Sequence, residues 1–141
     1  MIWLPSRWLG LAVRAGGVAD RLVDELEGGR ERLQIGIVYI GEPSQHLTLA
    51  INGVGELVND PSRHYGNRTI DLLFHSVAAH AGPRAIGVIL SGTLDDGSRG
   101  LVAMHEAGGI TMVLTPSSLP EHGMPSNAIA FDGPGYDSLL A

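Results

Sequence analysis

With 141 residues, 44% of them hydrophobic, 20 glycines and a net charge of -6, the chain can build one compact core and is too apolar for global disorder. Its acidic balance excludes a nonspecific electrostatic grip on nucleic acid or an anionic membrane. Cysteine and lysine are both absent, all nine basic residues being arginine, which excludes disulfides, thiolate catalysis, cysteine-bound zinc, the P-loop lysine and Schiff-base lysines.

From the N-terminus, Met1 to Gly17 is mildly apolar but interrupted by Pro5, Arg7 and Arg14. Its longest clean apolar run, about five residues, is shorter than the ~7–15 of a signal-peptide core. Nowhere does an apolar stretch approach the ~20 residues of a membrane span, so a cytoplasmic protein without membrane insertion is expected. Ala19, Leu22, Val23 and Leu26 have helical spacing up to Glu27, and Gly28-Gly29 stops that helix. Ile35 to Ile40 and His46 to Ile51 are β-rich runs across a turn at Gly41 to Ser44, which predicts an antiparallel hairpin. Asn52 to Asn67 reads as loop or edge.

Thr69 then opens a helical pattern, Ile70, Leu73, Phe74, Val77, Ala78 and Ala81, closed by Gly82-Pro83. Ala85 to Leu90 is a continuous apolar run, the signature of a strand buried on both faces. Ser91 to Gly97 turns into a helix over Ser98 to Ala107. Gly108-Gly109 ends it, and Ile110 to Leu114 is the next buried strand. A short helix over Ser126 to Ala130 precedes a Gly/Pro-rich tail. Strand, helix and strand with short links predict a right-handed βαβ unit and a parallel sheet in a single domain, residues 1–141.

Ligands collect beyond the carboxyl ends of parallel strands. Here that edge is built by Ser91 to Gly97 and Thr115 to Gly123, and the first of these turns holds Asp95-Asp96. An aspartate there can cap the helix that follows and complement its dipole. Equally, a carboxylate held at a strand end can orient a histidine, as a catalytic triad requires. The acidic pair also suits a phosphoacceptor receiver, but that chemistry needs a lysine, and none exists.

The stretch Gly87-Val88-Ile89-Leu90-Ser91-Gly92-Thr93-Leu94-Asp95-Asp96-Gly97-Ser98-Arg99-Gly100 resembles the strand-and-loop signature of chemotaxis protein-glutamate methylesterases of the CheB type. Glu31 to Ile40 with Pro43, His46 and Leu49 is similar to that family's hairpin. Arg63-His64 and Asp71 to Ala78 are similar to the segment leading into its next helix. Gly123 to Ile129 is similar to its glycine-methionine-proline element. Together the matches run over about residues 30–131. The resemblance implies an α/β fold, a three-layer, doubly wound, mainly parallel sheet with an antiparallel β-hairpin. It also implies an ester hydrolase acting on chemoreceptor glutamates without cofactor or metal. By that resemblance Asp96 is the triad aspartate, and Gly92, Thr93, Asp95, Gly97, Gly123 and Met124 form its neighbourhood.

Departures from the pattern matter as much. The family's glycine-rich turn with its serine nucleophile, and the histidine-methionine-proline element one strand later, have no clear counterpart before residue 30; Trp3 to Trp8 resembles a decayed histidine element. Thr93 stands for a methionine, and Arg68-Thr69 for a proline-serine pair. Loss of a triad serine or histidine costs on the order of 10⁶-fold in rate. The chain is therefore expected to lack the first strand-helix unit and to be inactive alone, a pseudoenzyme of a carboxylic ester hydrolase. The other expectation is a binding module that occupies a methyl-accepting receptor or signalling partner without hydrolysis.

Of six histidines, His46, His64, His75, His80, His105 and His122, none pairs at the i,i+4 zinc spacing, and the ordinary expectation is exposed or capping side chains. His122 beside Gly123-Met124 is the one candidate for a dyad with Asp96. A sheet missing its leading unit would leave apolar surface uncovered, which predicts a homo-oligomer.

Overall fold

Eight strands and three helices appear in a computed structural model that describes residues 9–12, 29–35, 37–41, 45–66, 68–114, 123–132 and 137–139. The helix expected over Ala19 to Glu27 lies outside the described residues. β1 (Leu9–Ala12) pairs antiparallel with β3 (Val38–Gly41). β2 (Arg30–Arg32), β5 (Val54–Asn59) and β4 (Gln45–Ala50) form an antiparallel sheet in the order β2-β5-β4. β6 (Ile86–Ile89), β7 (Ile110–Leu114) and β8 (Asp137–Leu139) form a parallel one. The α/β class, the parallel βαβ unit and an antiparallel hairpin are thus all present.

The hairpin is not where the β-rich runs suggested. β3 pairs with β1, while β4 turns back through Ile51–Gly53 onto β5, with Ala50 opposite Val54. Asn52 and Gly53 have φ of 62° and 72°, and consecutive left-handed residues supply the twist that a tight antiparallel turn needs. That turn makes Val54 to Asn59, part of the segment expected to be loop or edge, the central strand of its sheet. Gly41 to Ser44 has no comparable asparagine-glycine pair.

α1 (Thr69–His80) buries Ile70, Leu73, Phe74 and Val77, the apolar positions of its sequence period. It packs on β4, where the Ser76 hydroxyl accepts from the Leu49 amide at 2.8 Å and donates to the Leu73 carbonyl at 2.7 Å. α2 (Ser98–Glu106) buries Leu101 and Met104 beside α1 and under the parallel sheet. α3 (Met124–Asp132) outruns the expected short helix at both ends, Pro125 being tolerated in its first turn. A single buried cluster joins Tyr39, Leu47, Leu73, Leu101, Val113 and Ala128. The buried Tyr39 hydroxyl keeps a partner by accepting from the Gln34 amide at 3.0 Å.

Two of the parallel strands, β6 and β7, are not buried on both faces along their length, although their apolar runs suggested it. Ile89 and Val113 are 2% and 0% exposed, whereas Ile86 and Ile110 are 56% and 48% exposed. Adjacent side chains alternate between faces: the face toward α2 and the core is closed, while on the other Val88 and Met112 are half-buried and Ile86 and Ile110, at the strand starts, are exposed. Ile86 and Ile110 are register partners on the open face.

Close approach fixes how the helices meet. A Cβ on Gly100 would lie 2.5 Å from the Phe74 Cβ and 3.0 Å from the Asp71 carbonyl oxygen. Gly100→Ala should therefore push α2 away from α1 and destabilise the fold by about 1–3 kcal/mol, read as a lower urea midpoint. An unchanged midpoint would show that the helix contact tolerates a methyl group.

Candidate active-site loop

The loop from β6 to α2 bends where glycine or left-handed backbone allows. Gly92 has φ of 143°, Leu94 of 67° and Gly97 of 90°. The Met124 amide donates to the Gly92 carbonyl at 3.0 Å, and the Asn127 side-chain amide donates to the Leu94 carbonyl at 2.5 Å. In this way the Gly123-Met124 element docks on the loop carrying Thr93, which is exposed. On the other side, a Cβ at Gly97 would lie 2.6 Å from Ile70 Cγ2, so the loop is pressed against the start of α1.

Asp96 is 9% exposed. Its Oδ2 accepts from the Ile70 amide at 3.0 Å and its Oδ1 from the Asp71 amide at 2.9 Å. Asp96 is a helix cap, then, but for α1 rather than for the helix it precedes. The reason lies in Gly97, which occupies the N-cap of α2 in a left-handed conformation and turns Asp96 toward α1. Arg68, at the N-cap of α1, makes no side-chain capping bond, so Asp96 supplies what the local sequence lacks. The exchange is mutual. Asp71, 4% exposed in the first turn of α1, accepts from the Gly100 amide of α2 at 2.8 Å.

Two arginines close the outer side. Arg68 donates to Asp71 Oδ2 at 3.0 Å and to Asp95 Oδ2 at 3.3 Å. Arg99 donates to Asp95 Oδ2 at 3.3 Å, lies 3.8 Å from Asp71 Oδ2, and stacks 5.5 Å over the Phe131 ring. Asp95 is therefore a rim carboxylate and Asp96 an inner one. Burial pushes the Asp96 carboxyl above its ordinary value; the Ile70 and Asp71 amides offset this in part, and the Asp71 charge adds to it. At Asp95, burial is outweighed by the Arg68 hydrogen bond and by the Arg68 and Arg99 charges, so its carboxyl is lowered. Beside them, the fully buried Ser98 hydroxyl has no hydrogen-bond partner.

His64, His75, His80 and His105 are exposed as expected, and His122 lies outside the described residues. His46, by contrast, is 7% exposed. Its Nδ1 lies 2.9 Å from the Thr69 hydroxyl, and its Nε2 3.5 Å from Asp60 Oδ2. Asp60 also accepts from the His64 and Tyr65 amides at 2.7 and 2.8 Å. Burial raises the Asp60 carboxyl, but these amides and His46 outweigh that effect and leave it lowered. Nothing in the spacing of His46, Asp60 and Thr69 announced this cluster; the one signal was a histidine within an apolar strand.

The order carboxylate, imidazole, hydroxyl at Asp60, His46 and Thr69 has the form of a triad. It lacks a triad's surroundings. The amides next to Thr69, those of Ile70 and Asp71, would be the donors for an oxyanion, and both are bound to Asp96. Among the described residues no histidine hydrogen-bonds to Asp96 itself. Its carboxylate has about four lone-pair sites, so the α1 amides leave it able to accept from a further donor.

The family model described as CheB methylesterase matches residues 10–134. A protein-glutamate methylesterase/protein-glutamine glutaminase of Yersinia pestis is 39% identical over 132 residues, covering 92% of this chain and 38% of that protein. The namesake of Salmonella typhimurium is 40% identical, with the same coverage. The crystal structure of the Thermotoga maritima CheB methylesterase catalytic domain superposes with a TM-score of 0.62 at 29% identity, covering 78% of this chain and 59% of that one. The chain thus spans under two-fifths of the length of these curated relatives.

The opposed shifts of the acidic pair give opposite pH dependences. The raised Asp96 contributes stability that is complete below its ordinary value of 3.8 and is lost as pH rises through its folded value. The lowered Asp95 contributes stability present above 3.8 and lost as pH falls through its folded value. In urea unfolding against pH, the advantage of the parent over Asp96→Asn should shrink as pH rises, while that over Asp95→Asn should grow. Parallel trends for the two variants would contradict the assignment of inner and rim carboxylates.

Proposed function

The chain belongs to the CheB methylesterase family, and on that premise we propose that it carries the aspartate-bearing part of a protein-glutamate methylesterase active site, with Asp96 as the carboxylate that orients a catalytic histidine. The observation carrying this is the placement of Asp96, buried at the carboxyl end of β6 and aimed by two main-chain amides. Hydrolysis of a glutamyl methyl ester through an acyl-enzyme needs a serine alcohol, an imidazole to take its proton and donors for the oxyanion. The serine oxygen attacks the ester carbon, methanol leaves with the proton returned by the imidazole, and water then releases the acid. Asp96 supplies the orientation of the imidazole and stabilises its cation; it breaks no bond.

Acting by itself, the 141-residue chain is catalytically silent. Among the described residues no histidine reaches Asp96, and the Thr69–His46 contact is built on Asp60 with its neighbouring amides spent on Asp96. Its role is to engage a methyl-accepting receptor or signalling protein. Leu94 and Phe131, 65% and 52% exposed, with Arg99 stacked on Phe131 beside Asp95, support such a docking role at this rim. The open face at Ile86 and Ile110 supports self-association.

Incubated with a methylated receptor fragment, the purified chain should release methanol no faster than buffer while retaining the fragment in a binding assay. Turnover abolished by Asp96→Ala would overturn the silence and keep the aspartate; turnover surviving it would sink the assignment of Asp96. Light scattering at tens of micromolar should report an oligomer, and a monomer would remove self-association from this reading.

A further inference from the structure

Asp71 is a buried carboxylate that the proposed chemistry leaves without a task. We propose that Asp71 is the positioning residue for Asp96, the two carboxylates forming a reciprocal pair in which each holds the helix that presents the other. This rests on the reading of Asp96 as the orienting aspartate.

The geometry is specific on three counts. The Asp71 amide is one of the two donors on Asp96, at 2.9 Å. The Asp71 side chain holds the Gly100 amide at 2.8 Å, which ties the start of α2, and with it the loop presenting Asp96, to α1. Its second oxygen is kept from competing for amides by Arg68 at 3.0 Å, with Arg99 at 3.8 Å. Neither helix has a cap from its own N-cap side chain. Without the Asp71 carboxylate, the Gly100 amide in the first turn of α2 loses its acceptor, and the tie that holds the loop and Asp96 against the α1 amides is gone.

Asparagine at position 71 keeps an acceptor for Gly100 and removes the charge; alanine removes both. The test follows the Asp96 carboxyl and the amides of residues 70 and 71 by NMR through an acid titration of the whole chain. In Asp71→Asn both amides should still respond to the titration of Asp96, which should move down because a neighbouring negative charge is gone. In Asp71→Ala the two amides should cease to follow Asp96. Parent-like coupling in the alanine variant would overturn the proposal. So would an unmoved Asp96 titration in the asparagine variant, which also serves if the alanine variant fails to fold. Because the readout is proton binding at Asp96, it succeeds or fails independently of whether any ester is turned over.

Discussion

Two helices that cannot cap themselves meet at their N-termini and exchange carboxylates, and the arrangement of this domain depends on that exchange. Asp96 reaches from the start of α2 to the Ile70 and Asp71 amides, and Asp71 reaches from the start of α1 to the Gly100 amide. An N-cap is worth about 0.5–2 kcal/mol, and both caps here are buried, where an unsatisfied amide costs more than it would in water. The glycines make the exchange possible. Gly97 turns the chain and Gly100 lets the helices approach closely enough for short side chains to span the gap.

The same exchange sets the chemical character of the loop. Two acidic residues adjacent in sequence end in opposed environments: Asp95 is held at the rim by arginines, while Asp96 is held inside by amides. An inner carboxylate fixed by main chain has little freedom to reorient, which is what a group that must hold an imidazole in one tautomer requires. The amides spent on Asp96 are also the ones that would otherwise serve Thr69. Capping thus separates one buried cluster, Asp60 with His46 and Thr69, from the Asp95–Asp96 loop, although the two share the first turn of α1.

Much of the scaffold was legible in residue order. α1 and α2 follow from apolar spacing and glycine stops, and the parallel β6–β7 pair from two apolar runs joined by a helix. The hairpin falls at β4–β5 rather than β3–β4 because turn chemistry, and not β-propensity, sets the point of reversal. Asn52-Gly53 decides where the chain reverses, since left-handed backbone is costly elsewhere. β6 and β7 are not buried on both faces along their length, because an apolar run says what a strand tolerates rather than what covers it; Ile86 and Ile110 stay exposed.

From the sequence came the family, the aspartate loop, the helices around it and the chemistries that a chain without cysteine or lysine cannot perform. Those are properties of neighbouring residues, where propensity, spacing and side-chain identity act over a few positions. Folding alone decided that Asp96 caps α1 instead of α2, that Asp71 answers it, and that His46 is buried against Thr69. These contacts join residues 23 to 29 positions apart. Their partners are largely main-chain amides, which every residue but proline carries and which no sequence pattern can single out until the helices are packed.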